Sequence, residues 1–301
     1  MRKLWQPGAI ALMLVGIVSG CNLTAPSPPS RLPQVDREKP RVQPPTLKPG
    51  TREPVTSAIN NRNLFLGNPS NAVPSVASID NYLMVKPQYV LSYNNKTHTA
   101  NWVSWQLNKS WIGTADRQDN FRPDDALPAA WYKVRPTDYT GSGYDRGHIA
   151  PSADRTRNEA DNSSTFLMTN MIPQVPEVNR GVWGDLEEYC RELVQQGKEL
   201  YIVAGPVGRK GSIGKKEKIA VPAKNWKVIV VLDRQGLGMQ GVTTNTRAIA
   251  VIMPNDSSVK GKGWKSFRVS VARVERETGL NFLSNVPPQV QQVIESKVDS
   301  Q

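Results

Sequence analysis

Two histidines occur in 301 residues, so few side chains of this chain titrate near neutral pH. One of them, His148, sits in the run Asp145-Arg146-Gly147-His148-Ile149-Ala150-Pro151. A neutral imidazole is the commonest general base, and an arginine two residues away offers a planar fork that fits phosphate or carboxylate. On an extended strand, positions i and i+2 share a face. Arg146 and His148 would then point into one site and Asp145 away from it, where a structural role is expected for that carboxylate. Gly147 lets a backbone or ligand come close. The group suits a base working beside an anionic substrate, with a rate that rises as the imidazole loses its proton.

A second set lies downstream. Trp183, Glu187 and Arg191 repeat every four residues, and Asn179 stands one turn earlier, so an amide, a carboxylate and a guanidinium share one helix stripe. Leu186, Cys190 and Leu193 form the opposite, apolar face, which makes Cys190 a small buried residue. Taken alone, the stripe also reads as a solvated face with a Glu187–Arg191 pair worth about 0.3–0.5 kcal/mol. A third set, Arg117-Gln118-Asp119-Asn120-Phe121-Arg122-Pro123-Asp124, has no period and reads either as a solvated loop or as a functional one. The second histidine, His98, follows Lys96 and Thr97 in a turn and is expected to be exposed and chemically idle.

The elements that must carry these groups alternate between strand and helix. Gln88 to Tyr93 and Trp102 to Leu107 flank Asn94-Asn95-Lys96-Thr97 and read as a hairpin. Thr165 to Met171 is a short apolar run. Residues 179–194 read as a helix with Asn179 at its N-cap, acidic residues in its first half and Gly197 beyond its end. Leu200 to Ala204, Lys227 to Leu232 and Ala248 to Met253 are continuous aliphatic runs of the kind found in central strands. Phe267 to Thr278, closed by Gly279, and Pro287 to Val298, with Pro288 in the first turn, read as helices. The expected class is α+β or α/β, with a largely antiparallel central sheet flanked by helices.

Outside this region the composition changes. Arg2 and Lys3 precede an apolar stretch from Ala9 to Val18 and small residues at Ser19-Gly20, the pattern of an export signal over residues 1–21. The stretch is shorter than the ~20 residues of a spanning helix, although a retained anchor is the other reading. Val18-Ser19-Gly20-Cys21 is similar to the bacterial lipoprotein box, which makes Cys21 a lipidation site; ordinary cleavage beside an incidental cysteine is the alternative. Nine prolines fall between Pro26 and Pro54, so residues 22–56 read as an extended tether. The formal charge is +12; two charges belong to residues 1–21 and three to 22–56, which leaves about +7 for one domain over 57–301. That excess favours a polyanion partner without identifying it.

Taken together, four separated elements resemble the DNA/RNA non-specific endonucleases, the Serratia-type ββα-metal nucleases, and within them the cyanobacterial sugar-non-specific branch. The signature Asp-Arg-Gly-His, an aliphatic residue and a later small residue is met by Asp145 to Ile149 and Ala153. Asn-x-x-Pro-Gln is met by Asn170 to Gln174, Asn-x7-Glu-x3-Arg by Asn179, Glu187 and Arg191, and the upstream arginine block by Arg117 to Asp124. The similarity runs over roughly residues 60–285. It implies a ββα-metal nuclease fold and an exported enzyme, extracellular or periplasmic, that cuts single- and double-stranded DNA and RNA. It further implies His148 as general base, Asn179 as the direct ligand of Mg²⁺ or Mn²⁺, Glu187 as a ligand through water, and Arg117, Arg146 and Arg191 as phosphate clamps. Two other readings stand beside it: an envelope-tethered protein that binds nucleic acid without catalysis, and a phosphatase or phosphodiesterase of small esters. A pure binder needs neither His148 nor Asn179, and the separated arginines favour a polymer over a small ester.

Overall fold

The computed structural model describes residues 61–301; the export signal, Cys21 and the proline-rich tether lie outside the described residues. In chain order the strands and helices are β1 (Tyr82–Val85), β2 (Val90–Asn94), β3 (Thr99–Leu107), β4 (Asp145–His148), α1 (Glu159–Ser164), β5 (Met171–Gln174), α2 (Trp183–Gln195), β6 (Glu199–Val207), β7 (Gly211–Ile213), β8 (Ile219–Val221), β9 (Lys224–Leu232), β10 (Arg247–Pro254), β11 (Arg268–Val269), α3 (Val271–Thr278) and α4 (Pro288–Ser296). Seven strands form one sheet in the order β1-β2-β3-β6-β9-β10-β11, and every neighbouring pair is antiparallel. The fold is α+β.

Both faces of this sheet are covered, which explains the uninterrupted aliphatic runs. On β9, Val228, Val230 and Leu232 meet Val271 and Val274 of α3 and Ile294 of α4. The alternate residues Ile229 and Val231 meet Leu186, Cys190 and Leu193 of α2. Each such side chain taken fully out of water contributes about 1.5–3 kcal/mol, so the sheet and its helices form a rigid slab. Cys190 is buried, as its helix face implied, and has no cysteine partner among the described residues.

The smaller β4–β5 ribbon lies outside the large sheet. It pairs Asp145 with Gln174, Arg146 with Pro173, Gly147 with Ile172 and His148 with Met171. Behind it, the Asn170 side chain accepts from Ala150 N–H and donates to the Ala150 and Thr165 carbonyls. Arg155 is fully buried and donates to the carbonyls of Gln88, Gln106 and Asp154. These braces fasten the loop after His148 to β3 and to the turn before β2.

Several boundaries differ from the sequence reading. The hairpin forms, but its turn is Asn95 to His98, because Asn94 stays in β2, accepts from Lys96 N–H and pairs with Thr99. The helix read from Phe267 begins at Val271: Arg268 and Val269 pair with β10 as an edge strand, and Ser270 caps the helix by accepting from Arg273 N–H. Gly279 closes it in a left-handed conformation at φ 72°. The last helix ends at Ser296, since Val298 bridges to Ser270. His98 is half-buried rather than exposed; its ring meets Tyr132 edge-on at 5.6 Å. The short strands β1, β7 and β8 had no clear sequence signal.

Candidate active site

On the β4–β5 ribbon, alternation divides the signature into two faces. Gly147 must be glycine because a Cβ there would run into the side chain of Gln174 on the paired strand. Arg146 and His148 share the other face, as the strand reading requires. Their surroundings are two phenylalanines. His148 meets Phe166 edge-to-face at 4.8 Å and Phe121 at 5.6 Å between ring centroids. Arg146 lies over the Phe121 ring at 4.3 Å, and Arg117 over the Phe166 ring at 4.8 Å. Arg117 is further held by Asp119 at 2.7 Å and by the hydroxyl of Ser152 at 2.8 Å.

This setting fixes the charge state of His148. His148 is only 8% exposed. Burial first, and then the positive charges of Arg117 and Arg146, push its pKa down from 6.5 to about 3. The imidazole is therefore neutral, the form that can accept a proton. Its Nε2 is enclosed without a partner, which leaves Nδ1 to meet a water.

Asp145 faces away from Arg146 and His148, as the strand reading has it, and Asn179 packs on that side. Asn179 Nδ2 donates to Asp145 Oδ2 at 2.9 Å, and Arg180 donates to both carboxylate oxygens at 2.7 and 2.8 Å. Burial alone would raise the Asp145 pKa; the hydrogen bonds from Arg180 and Asn179 outweigh it and hold the group below the usual carboxylate value. Asp145 thus orients Asn179. With Nδ2 committed, the carbonyl oxygen Oδ1 is the free end of that amide.

Asn179 is not an N-cap. Its own N–H already bonds to Val175 carbonyl. It lies in the segment Val178–Val182, where the chain kinks at Gly181 (φ −109°, ψ −117°) before α2 begins. The kink takes Asn179 out of the helical phase of Trp183, Glu187 and Arg191.

Nor is that stripe a solvated face. Trp183 is 1% exposed. The expected Glu187–Arg191 pair is replaced by partners from elsewhere: Lys227 Nζ stands 3.5 Å from Glu187 Oε1, and Arg191 binds Asp154 at 3.2 Å. Asp154 also accepts from the Trp105 indole at 3.0 Å. Lys227 alternates with Ile229 on β9 and so rises from the central sheet under α2; its ammonium sits 4.1 Å from the Trp183 ring centre. Burial raises the Glu187 pKa to about 7 against the opposing charge of Lys227. Glu187 Oε1 is buried with no hydrogen bond. The turn Ser152–Asp154 holds Arg117 at one end and Arg191 at the other.

Phe121, Phe166, Asp154 and Lys227 thus join the site, and sequence reasoning passed over all of them. Phe121 lay inside the arginine block, and Lys227 opened an otherwise aliphatic strand; both were signals of a kind.

The donor set can be tested for a metal. Among the described residues no group of three or more His, Cys, Asp or Glu side chains is placed to hold one. What is present is a free amide oxygen on Asn179 and, on Glu187, a carboxylate whose buried Oε1 has only the Lys227 ammonium at 3.5 Å. That sparse, all-oxygen set fits a hard divalent ion that keeps most of its waters.

Residues 66–289 match the family described as DNA/RNA non-specific endonuclease. A nuclease of Nostoc sp. (strain PCC 7120 / SAG 25.82 / UTEX 2576) is 62% identical over 239 residues, covering 79% of this chain and 86% of the relative. Human mitochondrial endonuclease G is 33% identical over 217 residues, covering 68% of this chain and 70% of the relative. A solved structure of EndoG with EndoGI, which concerns the mechanism of EndoG inhibition, superposes with a TM-score of 0.66 at 25% identity, over 80% of this chain and 97% of that one. A ribbon that carries Asp145 to His148 beside Asn179 is thus set in a matching chain and a matching fold, and the protein belongs to the DNA/RNA non-specific endonuclease family.

Proposed function

We propose that this nuclease hydrolyses phosphodiester bonds of both DNA and RNA with His148 as general base. The observation that carries the reading is the neutral His148 imidazole seated on two phenyl rings that also carry Arg117 and Arg146. The arginines draw the scissile phosphate to the imidazole and meet the charge that develops on its oxygens. His148 takes a proton from the attacking water, the water oxygen bonds to phosphorus, the bond to the 3′-oxygen breaks, and that oxygen takes a proton from a second water. The products are a 5′-phosphate and a 3′-hydroxyl.

Asn179 through Oδ1, and Glu187 through a water, are the residues that would hold Mg²⁺ or Mn²⁺. When bound, such an ion supplies positive charge to the phosphate and to the leaving oxygen. Asp145 keeps the Asn179 amide turned for that task, and Arg191, tied to Asp154, stands as a further clamp. All of these groups address phosphate, which carries no base identity, so neither base sequence nor the 2′-hydroxyl is read. Capture of nucleic acid without cleavage does not call for a buried neutral imidazole.

Residues 1–21 support export to the periplasm or cell exterior, with Cys21 as a lipid anchor and residues 22–56 as the tether. The mass of the mature N-terminus tests that part: a lipidated Cys21 supports it, and an unprocessed Met1 overturns it. The activity is tested with the purified chain, plasmid and RNA. Both should be degraded with Mg²⁺ or Mn²⁺, neither in EDTA, and His148→Ala should slow cleavage by about 10²–10⁴-fold with binding retained. Undiminished cleavage by the variant, or in chelator, refutes the mechanism.

A further inference from the structure

The β7–β8 hairpin is used by no step above. Its connecting segments are strongly basic: Arg209, Lys210, Lys215, Lys216 and Lys218 stand against one acid, Glu217. That is a net +4 out of the roughly +7 carried by residues 57–301. None of these five cations forms an ion pair among the described residues, whereas Lys86, Lys96, Lys133, Lys198, Lys224 and Lys227 each do. All five are exposed.

The hairpin is also anchored to the catalytic ribbon. Ile213, Ile219 and Val221 pack in one cluster with Met168, Met171 and Tyr139, and Met171 is the cross-strand partner of His148. Gly214 turns the chain at φ 94° beyond that anchor, and Ala220 N–H bonds to Thr97 carbonyl at the other side. The charges therefore stand at a fixed place beside the ribbon.

Two half-buried tyrosines fill the surface between ribbon and hairpin. The Lys210 ammonium lies 5.8 Å from the centre of the Tyr144 ring, and Tyr144 immediately precedes Asp145. The Lys216 ammonium lies 6.0 Å from the Tyr132 ring. Cations interleaved with aromatic faces are what a nucleic-acid strand needs beyond its reacting phosphate: charge for the backbone, flat surfaces for sugars and bases. A small phosphoester would use neither.

We propose that the β7–β8 hairpin, with Tyr132 and Tyr144, is an outlying contact for the nucleic-acid substrate that holds phosphates several nucleotides from the scissile bond. The proposal rests on the nuclease reading of the His148 site and adds substrate length to it. Cleavage of long strands should depend on the hairpin, and cleavage of fragments too short to reach it should not. Lysines on a short isolated hairpin also keep its edges from pairing with other chains, a role that predicts no effect on substrate.

The test is Lys215→Gln/Lys216→Gln/Lys218→Gln in the full chain, compared with Arg276→Gln/Lys297→Gln on the α3–α4 face. Binding of a long duplex is measured in EDTA from about 50 to 200 mM salt, and kcat/KM is measured on that duplex and on a tetranucleotide. Each lost phosphate contact flattens the slope of log affinity against log salt by about 0.9. The hairpin variant should flatten it by roughly 2–3 and lose most affinity at low salt, with tetranucleotide cleavage unchanged. Arginine at the same three positions should behave as the parent. An unchanged slope, an equal effect from the α3–α4 variant, or a matching loss on the tetranucleotide overturns the proposal. A parent chain that cleaves neither substrate refutes the nuclease mechanism instead.

Discussion

His148 makes a quantitative test of the site. In the unfolded chain its imidazole takes a proton near its ordinary value of 6.5; in the fold, burial and the two arginines hold it neutral down to about 3. Between those values the unfolded state binds a proton that the native state does not. Stability contributed by neutral His148 is therefore fully present above pH 6.5 and is lost as pH falls toward 3. Each pH unit in that window costs about 1.4 kcal/mol, so by about pH 4 the loss reaches ~3 kcal/mol. That is a large share of the roughly 5–15 kcal/mol that separates a typical native domain from its unfolded state. Urea unfolding of the parent and of His148→Asn at about pH 7.5 and about pH 4 reads the effect, because other titrating groups cancel in the comparison. The gap between parent and variant should shift by ~3 kcal/mol in favour of the variant at acid pH. With two histidines in the chain, the imidazole signals can also be assigned and followed directly by NMR. The same depression changes the kinetic expectation. The rise of rate through the ordinary histidine range, expected from sequence, gives way to a kcat/KM in which His148 supplies no acid limb between about pH 5 and 8, since this ratio reports the free enzyme; the site group that titrates there is Glu187, raised to about 7. An imidazole of His148 that titrates between about pH 6 and 7 in the folded chain, with no difference in acid sensitivity between parent and variant, refutes the reasoning.

Two further outcomes follow from the contacts behind the site. Asp145→Asn removes the charge that Arg180 and Asn179 share. The Mg²⁺ concentration for half-maximal activity should rise about 10–100-fold; an unchanged metal titration removes Asp145 from its orienting role. Lys227→Met takes away the buried cation beside Glu187 and lets the Glu187 pKa, already about 7, rise further, so in urea melts the variant should lose most stability at about pH 9, where that carboxyl is forced toward its charged form. Adding Glu187→Gln should recover much of that loss, because the uncompensated charge is then gone; a double variant no more stable than Lys227→Met refutes the coupling.

How far the sequence spoke depended on how local each signal was. The central strands were readable because both sheet faces are covered, so their apolar runs are unbroken. Arg146 and His148 were readable because alternation on a strand needs no partner to be known. Asn179 lies off the helical phase that its spacing suggested: the kink at Gly181 depends on how α2 docks, and no periodicity announces it. The Glu187–Arg191 pair failed for a related reason. A helix presents i, i+4 neighbours to each other, but Lys227 and Asp154 come from other elements, and the tertiary partners won. Phe121 and Phe166 were invisible as a pair, since they lie 45 residues apart and meet only when the loops close over β4.

The signature Asp145 to His148 is best understood as a strand with a different task on each face. Arg146 and His148 share the face that packs on the phenyl rings, where burial and the charges of Arg117 and Arg146 keep the imidazole neutral. Asp145 and Gly147 take the other face: the carboxylate turns the Asn179 amide, and the missing Cβ admits Gln174. A slip of one residue in this ribbon would exchange the two faces, placing a carboxylate beside the substrate phosphate and burying an arginine. The register is therefore part of the chemistry. It is held by the Asn170 braces at Ala150, by the side chain of Asn255 on Val175 N–H and Pro173 carbonyl, and by the Gln174 side chain against Gly147. A nuclease built this way keeps its precision in the ribbon and asks of its substrate only a phosphate at the right height, which is why the same site serves any base sequence.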